Sequence, residues 1–147
     1  MEHVKIDGKL ILSGCLVINN KKEILLLFKK DHKHYENPGG KVNLEECSNP
    51  ENPTVEDLEK TAERELYEEL GKDINVKKLK YFGKIEFKIP DGRLAIANKF
   101  MTEIISGKPI LNEPKIFSKF GYIPVNKLED FPISPDLKLL LPKLKAL

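Results

Sequence analysis

The densest chemistry in the sequence is a run of charged residues, Glu63, Arg64, Glu65, Glu68 and Glu69, packed into seven positions. Glu65 and Glu69 stand four apart, a like-charge pair that costs an isolated helix roughly 0.2–0.5 kcal/mol. With roughly 3.6 residues per turn, Glu69 falls about 40° to one side of Glu65 and Glu68 about 60° to the other, so the three carboxylates share a helix face. That face borders an apolar stripe through Leu58, Ala62 and Leu66, at the edge of a core. Acidic runs on helices are usually solvated, and Glu56 with Lys60 and Glu68 with Lys72 have the favourable order of a solvated face. Three carboxylates converging beside apolar residues also meet the needs of Mg²⁺ or Mn²⁺, hard cations that take oxygen ligands and keep waters a phosphate can replace. Arg64 is placed to pair with Glu68 and fix its direction.

Other candidate groups carry less. His32 and His34 flank Lys33 in a polar stretch; an HxH pair can bind metal, but a solvated loop pair is the commoner occurrence, with no Cys or third His near in sequence. Ser13, Gly14 and Cys15 belong to no nucleophile motif. Gly39 and Gly40 are not followed by GxxxxGK[ST], so they make no P-loop. Cys15 and Cys47 form no CxxC pair and read as two reduced thiols of a cytoplasmic protein.

The carboxylate helix has clear ends. Thr54 caps it with Asp57 three residues on, an apolar stripe follows at Val55, Leu58, Ala62, Leu66 and Leu70, and Gly71 stands at the C-terminal cap. Before it, Leu10 to Ile18 and Glu23 to Phe28 read as a β-hairpin around Asn19 to Lys22. Lys29 to Gly40 reads as a loop ending on two glycines, and Val42 to Pro53 as a surface excursion. After it, Val76 to Ile89 and Arg93 to Ile105 form a second hairpin around Pro90, Asp91 and Gly92. Phe120 to Val125 is a short last strand. The final helix starts at Ser134 and Pro135, with Leu137, Leu140, Leu141 and Leu144 inward. This order predicts an α+β or α/β fold, helices covering a mixed β-sheet.

At 147 residues the chain is expected to be one domain over 1–147, able to bury about 70% of its unfolded surface without metal or disulfide staples. A net charge of +2, with lysines spread along the chain, argues against nucleic acid as a partner. The N-terminus lacks a signal-peptide pattern, and the longest apolar run, Ile24 to Phe28, is too short to span a bilayer. No membrane partner is expected.

Gly40, five residues, then Glu46, and later Arg64, Glu65, Leu66, Glu68, Glu69 and Gly71 resemble the signature of the Nudix hydrolases. The approach is similar too, with Tyr35 near the loop end and Pro38, Gly39, Gly40, Lys41, Val42 after it. The resemblance implies an α/β/α sandwich and hydrolysis of a phosphoanhydride in a nucleoside diphosphate linked to a moiety X. It makes Glu65, Glu68 and Glu69 ligands of Mg²⁺ (or Mn²⁺), adds the Gly39 carbonyl, and gives Arg64 the task of orienting a glutamate. Lys41 would contact phosphate, and Glu113, in a late loop, would supply a further ligand or a base. Tyr35, Phe117 and Phe120 are candidates to stack on a base. Two departures stand out. The family places seven residues between the box glutamate and the arginine; Glu46 has seventeen, while Glu56 has seven but the wrong distance from Gly40. The excess forms an insertion at about 47–53, expected to be mobile and near the mouth of the site, and the early role stays open between Glu46 and Glu56. Lys72 replaces an aliphatic residue, with Ile74 as a substitute.

For the substrate, compact length and the late segments around Glu113 and Ser134 to Lys138 resemble small MutT-like members acting on nucleoside triphosphates. Pro90 lies sixteen residues past Ile74, near the position of a proline in members that act on ADP-ribose. Three readings follow: a triphosphate pyrophosphohydrolase, an ADP-ribose or other nucleotide-sugar pyrophosphatase, or a non-catalytic nucleotide-binding module. The small nucleotide would be the partner of a monomer or homodimer.

Overall fold

The computed structural model describes residues 2–147. Its elements run β1 (Lys5–Ile6), β2 (Lys9–Val17), β3 (Glu23–Lys29), β4 (His34–Glu36), β5 (Gly39–Lys41), α1 (Val55–Leu70), β6 (Ile74–Val76), β7 (Lys80–Lys88), β8 (Leu94–Thr102), β9 (Ile104–Gly107), β10 (Phe117–Pro124) and α2 (Pro135–Lys145). Short 3₁₀ turns at Leu44–Glu46 and Val125–Asp130 join them.

Strand β2 is the hub. It pairs parallel with β8 from Leu10↔Ala95 to Val17↔Thr102, and antiparallel with β1 and β5. β7 closes that sheet on the far side of β8, so the sheet is mixed as expected. A separate antiparallel sheet has the order β10-β3-β4, and β6 pairs with β9.

The continuous apolar runs of β2 and β3 are explained by burial on both faces. Ile11, Cys15 and Val17 of β2 with Leu25 and Leu27 of β3 pack in one core with Leu58, Ala62, Leu66 and Leu70 of α1. Leu16, Leu26 and Ile24 point the other way, into a second core with Leu137, Leu140 and Leu144 of α2. The expected sandwich of helices on a mixed sheet is therefore present.

Several local expectations need correction. The segments Leu10 to Ile18 and Glu23 to Phe28 do not form a paired hairpin: after a single Ile18↔Ile24 bridge they part into different sheets. The segment read as a loop, Lys29 to Gly40, instead closes a hairpin of β3 with β4, with Lys29↔His34 and Leu27↔Glu36 opposite, before Pro38 leads into β5. The second hairpin is present as β7–β8, but its outer ends leave to form the β6–β9 ribbon. Val55, the first residue of α1, is 53% exposed and lies outside the stripe. The cap is as expected: Thr54 accepts from the Asp57 amide, Asp57 accepts from the Thr54 amide, and Gly71 sits at φ 85°.

Candidate active site

Helix α1 docks on β2 through polar side chains that the strand turns toward it. Ser13 Oγ donates to the Leu58 carbonyl at 2.6 Å, and Cys15 Sγ to that of Ala62 at 3.6 Å. Burial pushes the Cys15 thiol far up, so it is a packing residue and no nucleophile. Beside them the β2–β5 pairing needs glycine on both strands. A methyl group on Gly14 would stand 2.5 Å from the Pro38 oxygen and 2.9 Å from the Gly39 Cα. This close approach brings β5 under the acidic face of α1. At Gly40 a methyl group would stand 2.4 Å from Glu65 Oε1, so the missing side chain is the space the carboxylate occupies.

Arg64 gathers that face. Its Nε donates to Glu46 Oε2 at 2.7 Å and Nη2 to Glu46 Oε1 at 3.0 Å, a two-pronged pair. Nη1 reaches Glu65 Oε1 and Glu68 Oε1, both at 3.0 Å, and Nη2 also donates to the Lys41 carbonyl at 3.2 Å. Burial raises the Glu46 pKa, but hydrogen bonds from Arg64 and the Asn43 amide outweigh it and hold the carboxyl below its ordinary value. Of the two early glutamates, Glu46 is the one brought to Arg64; Glu56 is exposed in the first turn of α1. The insertion is absorbed between them. Ser48 donates to Asp57 Oδ2 at 3.4 Å, and none of residues 47–53 lines the cleft described below.

Glu69 is the deepest carboxylate, 3% exposed. Its Oε2 accepts from the Gly39 amide at 3.3 Å, while Oε1 is buried without a partner. Burial, then the neighbouring Glu65 and Glu36, push its pKa well above the ordinary carboxylate value. A buried carboxylate oxygen with no donor, beside two further carboxylates, is the donor set that a hard divalent cation satisfies. Glu113 joins the group from the far side. Asn112 donates from its amide to the Glu69 carbonyl at 3.1 Å and from Nδ2 to the Glu68 carbonyl at 2.9 Å. These contacts satisfy two of the last carbonyls of α1 and pin the loop that carries Glu113. Burial and the charges of Glu65 and Glu68 raise the Glu113 pKa.

A cleft of about 330 Å³ opens beside Gly39, Gly40 and Lys41. Its walls include Leu10, Leu12, Phe87 and Ile89, with Lys29 and Arg93 at hand. The aromatic candidates are elsewhere. Phe117 is 3% exposed in the core, Phe120 packs against the same core, and Tyr35 stacks edge-on between Phe28 and Phe131. Phe87 is the aromatic of the cleft, missed because its strand alternation resembles ordinary core.

Sequence reasoning also missed the cleft floor. Lys99 is 4% exposed, its Nζ donating to Asn37 Oδ1 at 2.6 Å and Asp136 Oδ2 at 2.5 Å. Burial works against ionised Asp136, but the Lys99 charge more than offsets it and holds the carboxyl low. The one signal was a lysine inside the apolar strand LAIANKFMT.

The sequence model of the family described as NUDIX domain matches residues 11–144. The fold is similar to that of the MutT NUDIX hydrolase from Burkholderia pseudomallei, at 21% identity and TM-score 0.71, over 92% of this chain and 98% of that one. It is also similar to the MutT protein from Methanosarcina mazei Go1, at 19% identity and TM-score 0.72, over 97% of each chain. The E. coli ORF135 protein aligns at 19% identity and TM-score 0.67, over 97% of this chain and 91% of that one. No curated protein matches the chain.

Proposed function

From the premise that the chain belongs to the NUDIX domain family and is a pyrophosphohydrolase of phosphoanhydrides, we propose that its substrate is a nucleoside triphosphate, cleaved to a nucleoside monophosphate and pyrophosphate. The observation that carries this reading is the size and place of the cleft. About 330 Å³ lies at the low end of ligand pockets, roughly 300–1,000 Å³, and suits one nucleoside rather than two large moieties. Its apolar walls suit a base, and its Lys41 end leads to the carboxylates. A second cavity, at Lys21, Lys22 and Lys145, shares no residue with it.

We assign Glu65, Glu68 and Glu69 to hold Mg²⁺, with the Gly39 carbonyl as a further ligand. Magnesium bound there would draw charge from phosphate oxygens and lower the pKa of an attacking water. Arg64 fixes the rotamers of Glu65 and Glu68 through the hydrogen bonds it gives them, and Glu46 holds Arg64 in turn. Lys41 and Arg93 attract the phosphate chain to the cleft. Glu113, raised in pKa and facing Glu65 and Glu68, accepts the proton from water. Two free thiols, Cys15 and Cys47, fit a cytoplasmic site of action. In the described residues no helix is long and apolar enough to cross a membrane.

The test is hydrolysis of a panel of nucleoside triphosphates, ADP-ribose, other nucleotide sugars and dinucleoside polyphosphates with Mg²⁺, products being resolved by ion exchange. Nucleoside monophosphate plus pyrophosphate is the expected pair, and Glu69→Gln should produce neither. A higher kcat/KM for ADP-ribose, giving AMP and ribose phosphate, overturns the triphosphate reading. Binding of a nucleotide without any turnover overturns the enzymatic assignment of the carboxylates.

A further inference from the structure

His32 and His34 have no part in the chemistry above and Glu36 enters it only through its charge on Glu69, yet the fold brings the three together. The β3–β4 hairpin closes with the Lys33 amide donating to the Lys29 carbonyl at 2.9 Å, and Lys33 adopts a left-handed conformation, φ 53°. That turn folds His32 back over the strand, its ring edge-on to His34 with centroids 5.2 Å apart. His34 and Glu36 are two apart on β4 and therefore share a face. His34 Nε2 and Glu36 Oε2 are 2.9 Å apart, and one ligand atom from each of the three residues lies within 4.8 Å of the others. His34 is 9% exposed, so part of the trio is held by packing rather than waving in solvent.

We propose that His32, His34 and Glu36 form a binding site for a transition-metal ion of the Zn²⁺ class, beside the helix carboxylates but made of other side chains. Two imidazoles and one carboxylate are the ligand type of zinc, whereas Mg²⁺ selects oxygen ligands alone. Bonds of about 2.0–2.1 Å to a tetrahedral ion set ligand atoms about 3.3 Å apart. The His34–Glu36 pair is already close to that spacing, and the His32 ligand atom, within 4.8 Å of the other two, has at most about 1.5 Å to close. Lys29, opposite His34 in the register, shares the wall, and its long stem lets the ammonium turn to solvent. All three ligands line the cleft, together with Gly39 and Lys41. Three protein ligands leave a fourth position open, facing the cleft, for water or an anionic oxygen of its occupant. The site does not depend on which nucleotide the enzyme hydrolyses.

The experiment is calorimetric titration of the metal-free full chain with Zn²⁺ in the presence of excess Mg²⁺, repeated on Glu69→Gln, His32→Ala, His34→Ala and Glu36→Gln. Wild type and Glu69→Gln should each bind one zinc ion per chain, and His32→Ala should weaken that binding by roughly tenfold or more. His32 is exposed, so this variant tests the site even where His34→Ala disturbs packing. Co²⁺ substitution should give visible absorption bands that the His32 variant lacks. Zinc binding that survives in His32→Ala and disappears in Glu69→Gln, or no zinc binding at all, overturns the proposal.

Discussion

Gly40→Ala separates the site from the fold more cleanly than removing a carboxylate does. A methyl group at this position would stand 2.4 Å from Glu65 Oε1 and 2.6 Å from its carboxyl carbon, against roughly 3.4 Å for ordinary contact. The carboxylate has to retreat by about 1 Å, and a displacement of that size in a catalytic constellation costs about 10²-fold in rate. That is about 2.7 kcal/mol of transition-state stabilisation. The retreat also strains the 3.0 Å bond from Arg64 Nη1, which Glu65 shares with Glu68. Stability should behave differently. The clash is with the far end of a flexible side chain, and Gly40 has no positive φ, so the alanine restricts mainly the unfolded chain, a gain of about 0.4–1 kcal/mol. The assay is steady-state turnover of the best triphosphate, alongside thermal unfolding of the same sample. Gly121→Ala is the control, since nothing lies within 4 Å of its added methyl. Turnover of Gly40→Ala within about threefold of wild type would refute the argument that this glycine exists to seat Glu65. A large fall in melting temperature would refute the separation of site from fold.

Three further outcomes follow from the same geometry. Glu46→Gln should lower kcat by roughly 10- to 100-fold as Arg64 loses its two-pronged partner, whereas Glu56→Gln should leave turnover unchanged; steady-state kinetics of the pair checks which glutamate has the early role. Lys99→Met leaves Asp136 charged and buried, which should cost about 3–5 kcal/mol in urea unfolding, and adding Asp136→Leu should recover much of it. In metal-free protein, Glu69 has a folded pKa above its ordinary 4.5, so its contribution is fully present below that pH and is lost as pH rises toward the folded value. Wild type should therefore lose stability relative to Glu69→Gln by up to about 1.4 kcal/mol per pH unit through that window, and Mg²⁺ should reverse the trend for wild type alone.

What could be read from the sequence was local. Helix α1 announced both ends, because Thr54, Asp57 and Gly71 act within one turn of where they stand. The β7–β8 turn at Pro90 to Gly92 was legible for the same reason. The partition into two sheets was not. Strand β3 chooses β10, roughly ninety residues away, over its neighbour β2, and an apolar run buried on both faces carries no alternation to reveal the choice. The ambiguity between Glu46 and Glu56 arose because spacing counts residues along the chain. The insertion lengthens the chain while Glu46 stays at Arg64, so counting residues could not show which glutamate the fold brings there. Lys99 was illegible because its partners lie 62 and 37 residues away, and nothing local distinguishes a buried lysine from an exposed one.

Backbone contacts carry much of the site, and this bears on which parts of it can vary. Glu69 is held by the Gly39 amide, Arg64 reaches the Lys41 carbonyl, and the loop of Glu113 hangs from the Glu68 and Glu69 carbonyls through Asn112. None of these anchors asks for a particular side chain on β5. The side-chain requirement is negative, that Gly39 and Gly40 on β5, and Gly14 opposite them on β2, have none. The cleft walls, by contrast, are made of side chains from β2, the β3–β4 and β7–β8 hairpins and the start of α2. Substitutions at Leu12, Phe87 or Ile89 can therefore reshape the pocket without touching the contacts that place Glu65, Glu68 and Glu69. A change of preferred base by such a wall variant, at unchanged dependence on metal concentration, is the behaviour this division requires. A wall variant that shifted metal dependence instead would mean that the two halves are mechanically coupled, with Lys99, which ties the segment before Gly39 to the start of α2, as the connecting element.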